Sequence, residues 1–185
     1  ITIKNVNVNK TRTGIIDILK KMNAIIKLTN RRIYNGEEIA DIKCKSSPNL
    51  KSVKPNSKIN SRAIDEFPLI FLACAKAKGI SYFKDLGELR HKEQDRLKFS
   101  ANFLKMIGIK VIETKDSLRI HGNPNLNLHG NYVVKNFMKD HRAFMLSCIA
   151  ALTLGGKWKI HDKDSINTSF PMFLKTIKFL GAEIN

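Results

Sequence analysis

Two hydrophobic periods alternate along the chain, and a glycine or asparagine marks many of the changes from one to the other. The apolar runs Leu69 to Cys74 and Phe144 to Ala150 carry more than one surface-helix face holds, so these helices are expected to be buried on most sides. The first is predicted from Asp65 to Gly79, followed by a strand over Ile80 to Lys84. The second is predicted from Asp140 to the Gly155-Gly156 pair, followed by a strand over Lys157 to His161. Other segments alternate with period two. Leu118 and Ile120 fall on one side and Arg119 and His121 on the other, as in a sheet with one solvated face.

The pattern repeats. Asp65 and Asp140 are 75 residues apart, and Asp85 and Asp162, the acids after the two strands, are 77 apart. A second helix type recurs: Arg96 to Ile107, then Gly108 and a strand over Ile109 to Glu113; Ser169 to Leu180, then Gly181 and Ala182 to Ile184; and Thr11 to Met22, then Asn23 and Ala24 to Leu28. Gly or Asn at each junction suits the left-handed residue that ends a helix before a strand. A unit of helix, strand, helix and one or two strands, about 75 to 85 residues long, is thus expected nearly three times. Stacking such units with helices inside and sheets outside predicts an α/β (α+β) domain with internal pseudo-symmetry. Asp41 to Ala63, rich in Lys, Ser, Asn and Pro, reads as strands and loops joining the first unit to the second, with no flexible interdomain linker.

Composition narrows the classes. With 185 residues, 43% hydrophobic and 26% charged, the chain suffices for one globular domain that buries roughly 70% of its unfolded surface. Its apolar runs fall short of the roughly 20 residues that span a bilayer, so no membrane partner is expected. The chain opens at Ile1 without a basic segment ahead of an apolar run, which reads as a fragment of a longer protein. Cys44, Cys74 and Cys148 match neither a CxxC pair nor a disulfide framework, pointing to a reducing cytoplasm, and the five histidines lack metal-ligand spacing. The net charge of +17 fits an anionic partner, either nucleic acid or a phosphorylated metabolite. A biased genome also enriches lysine, and the basic clusters, such as Lys20-Lys21 and Arg31-Arg32, are short. Nucleic acid is not expected, because Trp158 and three tyrosines provide no evident stacking platform.

Charged clusters fall at the predicted helix starts: Asp65-Glu66-Phe67-Pro68, Glu88 through Arg96, Asp140-His141-Arg142 and Thr168-Ser169-Phe170-Pro171. Acids and hydroxyls there serve as caps, and Asp65, Asp140 and Ser169 are read as such. Lys92 and Arg96 are placed on one helix face at i, i+4, with Glu93 three residues before Arg96. Cations at a helix N-terminus oppose its dipole and call for a reason, and an anionic ligand supplies one.

In order and spacing these four motifs, together with Thr11-Arg12-Thr13-Gly14 and Gly36-Glu37-Glu38-Ile39-Ala40-Asp41, resemble the enolpyruvyl transferases, and within them the 5-enolpyruvylshikimate-3-phosphate synthase family (3-phosphoshikimate 1-carboxyvinyltransferases). The resemblance runs along nearly the whole chain. The related UDP-N-acetylglucosamine enolpyruvyl transferases fit the Lys-Glu-x-Asp-Arg and Asp-His-Arg elements less well. It implies an inside-out α/β barrel built from repeated βαβαββ units. Residues 1–185 would be one such domain, the C-terminal part of a two-domain enzyme whose N-terminal half is absent, monomeric as a whole and cytoplasmic. The implied reaction, a step of aromatic amino acid biosynthesis, moves the carboxyvinyl group of phosphoenolpyruvate to the 5-hydroxyl of shikimate 3-phosphate and releases phosphate. No metal or organic cofactor is implied. By similarity Asp65 accepts a proton and touches the shikimate hydroxyls, and Glu93 donates a proton to the methylene carbon. Lys92 lies against the substrates, and Arg96 and Arg142 grip phosphoenolpyruvate. Thr168 stands where many members carry a phosphoenolpyruvate-binding Lys, and Glu88 where many carry Asn. The Thr-Ser-Phe-Pro form resembles a subgroup noted for glyphosate insensitivity, which residues of the other half decide. The fragment by itself is expected to be inert.

Overall fold

The computed structural model describes residues 1–184. Eight strands and five α-helices follow one another as β1 (Thr2–Asn7), α1 (Gly14–Lys21), β2 (Ile26–Tyr34), β3 (Glu37–Cys44), α2 (Phe67–Ala75), β4 (Gly79–Phe83), α3 (Arg96–Met106), β5 (Val111–Glu113), β6 (Leu118–Gly122), β7 (Leu128–Val134), α4 (His141–Leu154), β8 (Gly155–Ile160) and α5 (Phe173–Phe179). Short 3₁₀ turns cover Ser57–Arg62, Gly87–His91 and Lys163–Thr168.

The sheets display the repeat directly. β1-β3-β2 and β4-β6-β5 are antiparallel sheets of identical order, each made by a strand, a helix and a hairpin whose second strand inserts beside the first. β7 and β8 pair in parallel across α4, and a parallel bridge between Lys51 and Lys78 spans α2 in the same way. The middle segment, from Lys51 to β6, is therefore a complete βαβαββ unit. The other segments contribute βαββ before it and βαβα after it.

Helices occupy the inside. Seven of the nine residues of α2 are buried, and it packs against α1, α3 and α4. Phe67 and Phe71 of α2 stack at 5.4 Å, and both meet the ring of Phe83 on β4 edge-on, at 5.7 and 5.3 Å. Each such fully buried ring contributes about 1.5–3 kcal/mol of transfer free energy. On β6, Leu118 and Ile120 are buried and Arg119 is exposed, as the period-two pattern predicted. The β1-β3-β2 sheet is largely solvated on the outside, and Asp41 of β3 ties its two bulges together. Its carboxylate accepts from the Asn5 backbone N–H at 2.9 Å and from the Asn30 amide at 2.7 Å, bonds that hold its pKa below the usual carboxylate value. The Gly36 to Asp41 motif thus builds sheet.

Several boundaries move from the sequence expectation. α2 stops at Ala75, and Gly79, with φ 104°, opens β4 instead of closing the helix. α5 starts at Phe173, because Ser169 ends a 3₁₀ turn and so caps no helix. Ala182 to Ile184 forms no strand. The Ala182 N–H instead donates to Ile177 O at 3.0 Å to close α5, and both apolar side chains pack against the core.

Candidate active site

Four chain segments meet where the helices begin. α2 begins after Asp65-Glu66, α3 at Arg96, α4 at His141-Arg142, and α1 just after Arg12-Thr13. The close approach starts with Gly14: a Cβ there would lie 2.7 Å from the carbonyl carbon of Arg62, so only glycine lets the start of α1 sit against the turn that leads to Asp65.

Asp65 does not cap its helix. Glu66 occupies the cap position of α2 without a side-chain cap bond, and Pro68 fills the first turn, where its missing N–H costs nothing. The Asp65 carboxylate is therefore free to accept from arginines. Arg12 reaches it at 3.1 Å, Arg142 at 3.3 Å and Arg96 at 3.4 Å. Burial raises its pKa, but Arg142, Arg12 and Arg96 together outweigh that cost and hold it below the usual carboxylate value. For Glu66 the balance is reversed: burial and the neighbouring Asp65 charge outweigh Arg142, 3.7 Å away, and its pKa is raised.

Arg96 is the most enclosed of the three arginines, its side chain 3% exposed, against 27% for Arg142 and 61% for Arg12. Its Nε donates to Asp140 Oδ2 at 2.8 Å and its Nη2 to Oδ1 at 3.4 Å, a side-on pair that leaves the opposite edge facing Asp65 and Glu93. Glu93 accepts from Nη2 and remains half exposed. Asp140 is completely buried and also caps α4, accepting from the N–H groups of Arg142 and Ala143. One carboxylate thus orients the arginine of α3 and the first turn of α4.

Two devices fix these groups. Asp95 caps α3 and pairs with Arg90 at 2.7 Å, and Arg90 also grips Glu113 and the carbonyls of Thr114 and Lys115, so the approach to Arg96 is fastened to β5. Before Asp140, Asn136, Met138 and Lys139 all have positive φ, 60°, 50° and 55°. The buried Phe137 ring, edge-on to Phe99 of α3 at 6.3 Å, holds this costly backbone in place.

The structure therefore brings together Asp65, Glu93, Arg96 and Arg142. It separates Lys92 from the predicted helix face: Lys92 follows the 3₁₀ turn in extended conformation, four residues before α3, and its ammonium binds Glu88 at 2.8 Å. Arg12 and the clamping role of Asp140 were missed. The Thr-Arg-Thr-Gly motif signalled the first, whereas nothing local distinguishes a cap that also binds a distant arginine. Among the described residues no three His, Cys, Asp or Glu side chains converge as metal ligands do. The cluster sets three guanidinium groups against four carboxylates, so an arriving anion must compete with these carboxylates or bring further cations.

Comparison with known proteins is consistent along the chain. The profile of the family described as EPSP synthase (3-phosphoshikimate 1-carboxyvinyltransferase) matches residues 1–177. The 3-phosphoshikimate 1-carboxyvinyltransferase of Thermoanaerobacter sp. (strain X514) is 42% identical over 180 residues, covering 97% of this chain and 41% of that protein. That of Ruthia magnifica subsp. Calyptogena magnifica is 39% identical over 189 residues, covering all of this chain and 42% of its own. Among solved structures, EPSP synthase from Acinetobacter baumannii superposes with a TM-score of 0.88 at 36% identity, over 96% of this chain and 41% of that one. The enolpyruvyl transferase NikO from Streptomyces tendae, at 18% identity and a TM-score of 0.71 over 100% of this chain and 39% of that one, shares the fold. The chain spans about two fifths of the length of these relatives. With helices inside, sheets outside, the repeated βαβαββ connectivity and this profile match, the chain belongs to the EPSP synthase (3-phosphoshikimate 1-carboxyvinyltransferase) family.

Proposed function

We propose that this chain forms one wall of the active cleft of a two-domain, cytoplasmic, monomeric enzyme that transfers the carboxyvinyl group of phosphoenolpyruvate to the 5-hydroxyl of shikimate 3-phosphate. The observation that carries the reading is the convergence of Asp65 with Arg12, Arg96 and Arg142 at the helix N-termini. In this reading the 5-hydroxyl oxygen forms a bond to C2 of phosphoenolpyruvate as its proton passes to Asp65 and Glu93 gives a proton to the C3 methylene. A methyl proton then returns to the Glu93 carboxylate, which restores the double bond as the carbon–oxygen bond to phosphate breaks and phosphate leaves. Arg142 and the Arg96 edge that faces Asp65 and Glu93 hold the carboxylate and phosphate by planar, two-point geometry that lysine lacks, the substrate anions taking the place of those carboxylate contacts. Lys92 lies against the substrates once it leaves Glu88.

Charge coupling supports the assignment of Asp65. Its carboxylate is a weak base while three arginines face it. An anion that occupies Arg142 and Arg96 withdraws that positive field and raises the proton affinity of Asp65 when the hydroxyl is in place. Because the arginines here are already countered by carboxylates, the second wall must supply the remaining cations, and the 185-residue chain alone is expected to be inert.

The test is phosphate release from the two substrates. The full-length protein should turn over and this chain alone should not. Arg142→Lys in the full-length protein should raise KM for phosphoenolpyruvate about ten- to a hundredfold, the loss of one charged two-point contact. Absence of phosphate release from the full-length protein refutes the reading, and turnover by this chain alone refutes the two-wall requirement.

A further inference from the structure

We propose that a basic pocket on the flank of α1, separate from the arginine cluster, binds a polyphosphate group. The pocket, about 440 Å³, lies between the later turns of α1 and the 3₁₀ turn Ser57–Arg62. Lys20, Lys21, Lys58 and Arg62 line it, with Asp17 the one carboxylate in the wall. Asp17 is already engaged by Arg62 at 2.8 Å. Among the described residues none of the three lysines forms an ion pair.

Lys20 and Lys21 complement the dipole at the C-terminal turn of α1, which accounts for those two residues alone. It does not account for Lys58, which a separate turn brings to the same depression, whereas Arg62 of that turn is drawn there by its ion pair with Asp17. Arg62 is held in place, donating to the Lys10 carbonyl and to Thr13 Oγ1. Asn56 spends its side-chain oxygen on the Lys58 N–H at 2.9 Å, which leaves its amide NH₂ as a neutral donor in the same wall. Three unpaired ammonium groups, a fixed guanidinium and an amide donor around one cavity exceed what a single phosphate needs. They suit a chain of phosphates, either inorganic tripolyphosphate or the tail of a nucleoside triphosphate.

Calorimetric titration of the full-length protein with tripolyphosphate, and separately with ATP, at about 0.15 M salt tests the proposal. Lys20→Gln combined with Lys58→Gln should weaken tripolyphosphate at least tenfold. Lys105→Gln combined with Lys110→Gln, which removes the same charge elsewhere, should change it less than about twofold. All four lysines are exposed, so circular dichroism should show an unchanged fold. Equal affinity for ATP and tripolyphosphate identifies the phosphate chain as the recognised group, and tighter ATP binding identifies a nucleotide. Equal losses in both lysine pairs, binding lost instead in Arg142→Gln, or no binding by the unaltered protein overturns the proposal.

Discussion

Replacing Asp140 with Asn removes a charge while keeping its shape, and the two sets of partners on that carboxylate respond differently. Asn caps a helix about as well as Asp, so the bonds to the Arg142 and Ala143 N–H groups survive at little cost. The pairing with Arg96 does not. That guanidinium is 3% exposed and loses its side-on partner, leaving Asp65 at 3.4 Å and Glu93 on the other edge. Breaking a buried ion pair by removing one partner costs about 3–5 kcal/mol, and the two remaining carboxylates place this case at the lower end, near 3 kcal/mol. In a domain of this size that loss corresponds to a fall in Tm of about 6–12 °C. Urea and thermal unfolding of the domain within the full-length protein supply the measurement, in a cycle of Asp140→Asn, Arg96→Leu and the double variant. The double variant should lose about 1–3 kcal/mol less than the sum of the single losses, because neither buried partner is left charged without the other. A single-variant cost below about 1 kcal/mol, with additive losses, refutes the view that Asp140 holds Arg96 through charge.

Glu93→Gln should lower kcat by about 10²- to 10⁴-fold and leave KM for both substrates nearly unchanged, because the amide keeps the contact to Arg96 but has no proton to give; steady-state kinetics that move KM alone reject that role. Asp65 has a depressed pKa in the fold, so its stabilisation is full above the unfolded value near 4 and is lost as pH falls through the depressed one; urea midpoints between pH 6 and 2 should show Asp65→Asn losing that acid limb. The raised pKa of Glu66 acts in the opposite sense, its unfavourable contribution appearing as pH rises from the unfolded value through the folded one, so Glu66→Gln should gain relative stability toward neutral pH in the same measurement. Burial pushes the Cys74 and Cys148 thiols up to about 12, so thiol-specific reagents at pH 8 should label this domain rapidly at Cys44 and reach the other two only on unfolding; rapid labelling of all three contradicts the buried placement.

The chain's apolar runs located the two buried helices, and the recurring unit with its Gly or Asn junctions located the other three, because a buried helix such as α4 needs apolar residues on most faces and a half-buried strand such as β6 needs them on alternate ones. Spacing was equally informative about the repeat, since the similar intervals Asp65 to Asp140 and Asp85 to Asp162, 75 and 77 residues, return an acid near the start of each buried helix and after the strand that follows it. Short-range rules failed where a residue had two possible partners. Asp65 could cap α2 or accept arginines. Arg12, Arg96 and Arg142 decide that contest, and they lie 53, 31 and 77 residues away in the chain. Lys92 could share a helix face with Arg96, but Asp95 caps α3 and places Lys92 outside the helix.

Periodicity, junction residues and charge at helix starts are local properties of the polypeptide, and so the sequence alone determined the unit, its repetition and the candidate residues. Which carboxylate meets which arginine depends on how the helices pack, and only the tertiary structure decided it. The side-on clamp of Arg96 by Asp140, the desertion of the cap by Asp65 and the basic pocket beside α1 all arise when packing brings together segments remote in the chain, and for the clamp that packing also excludes water.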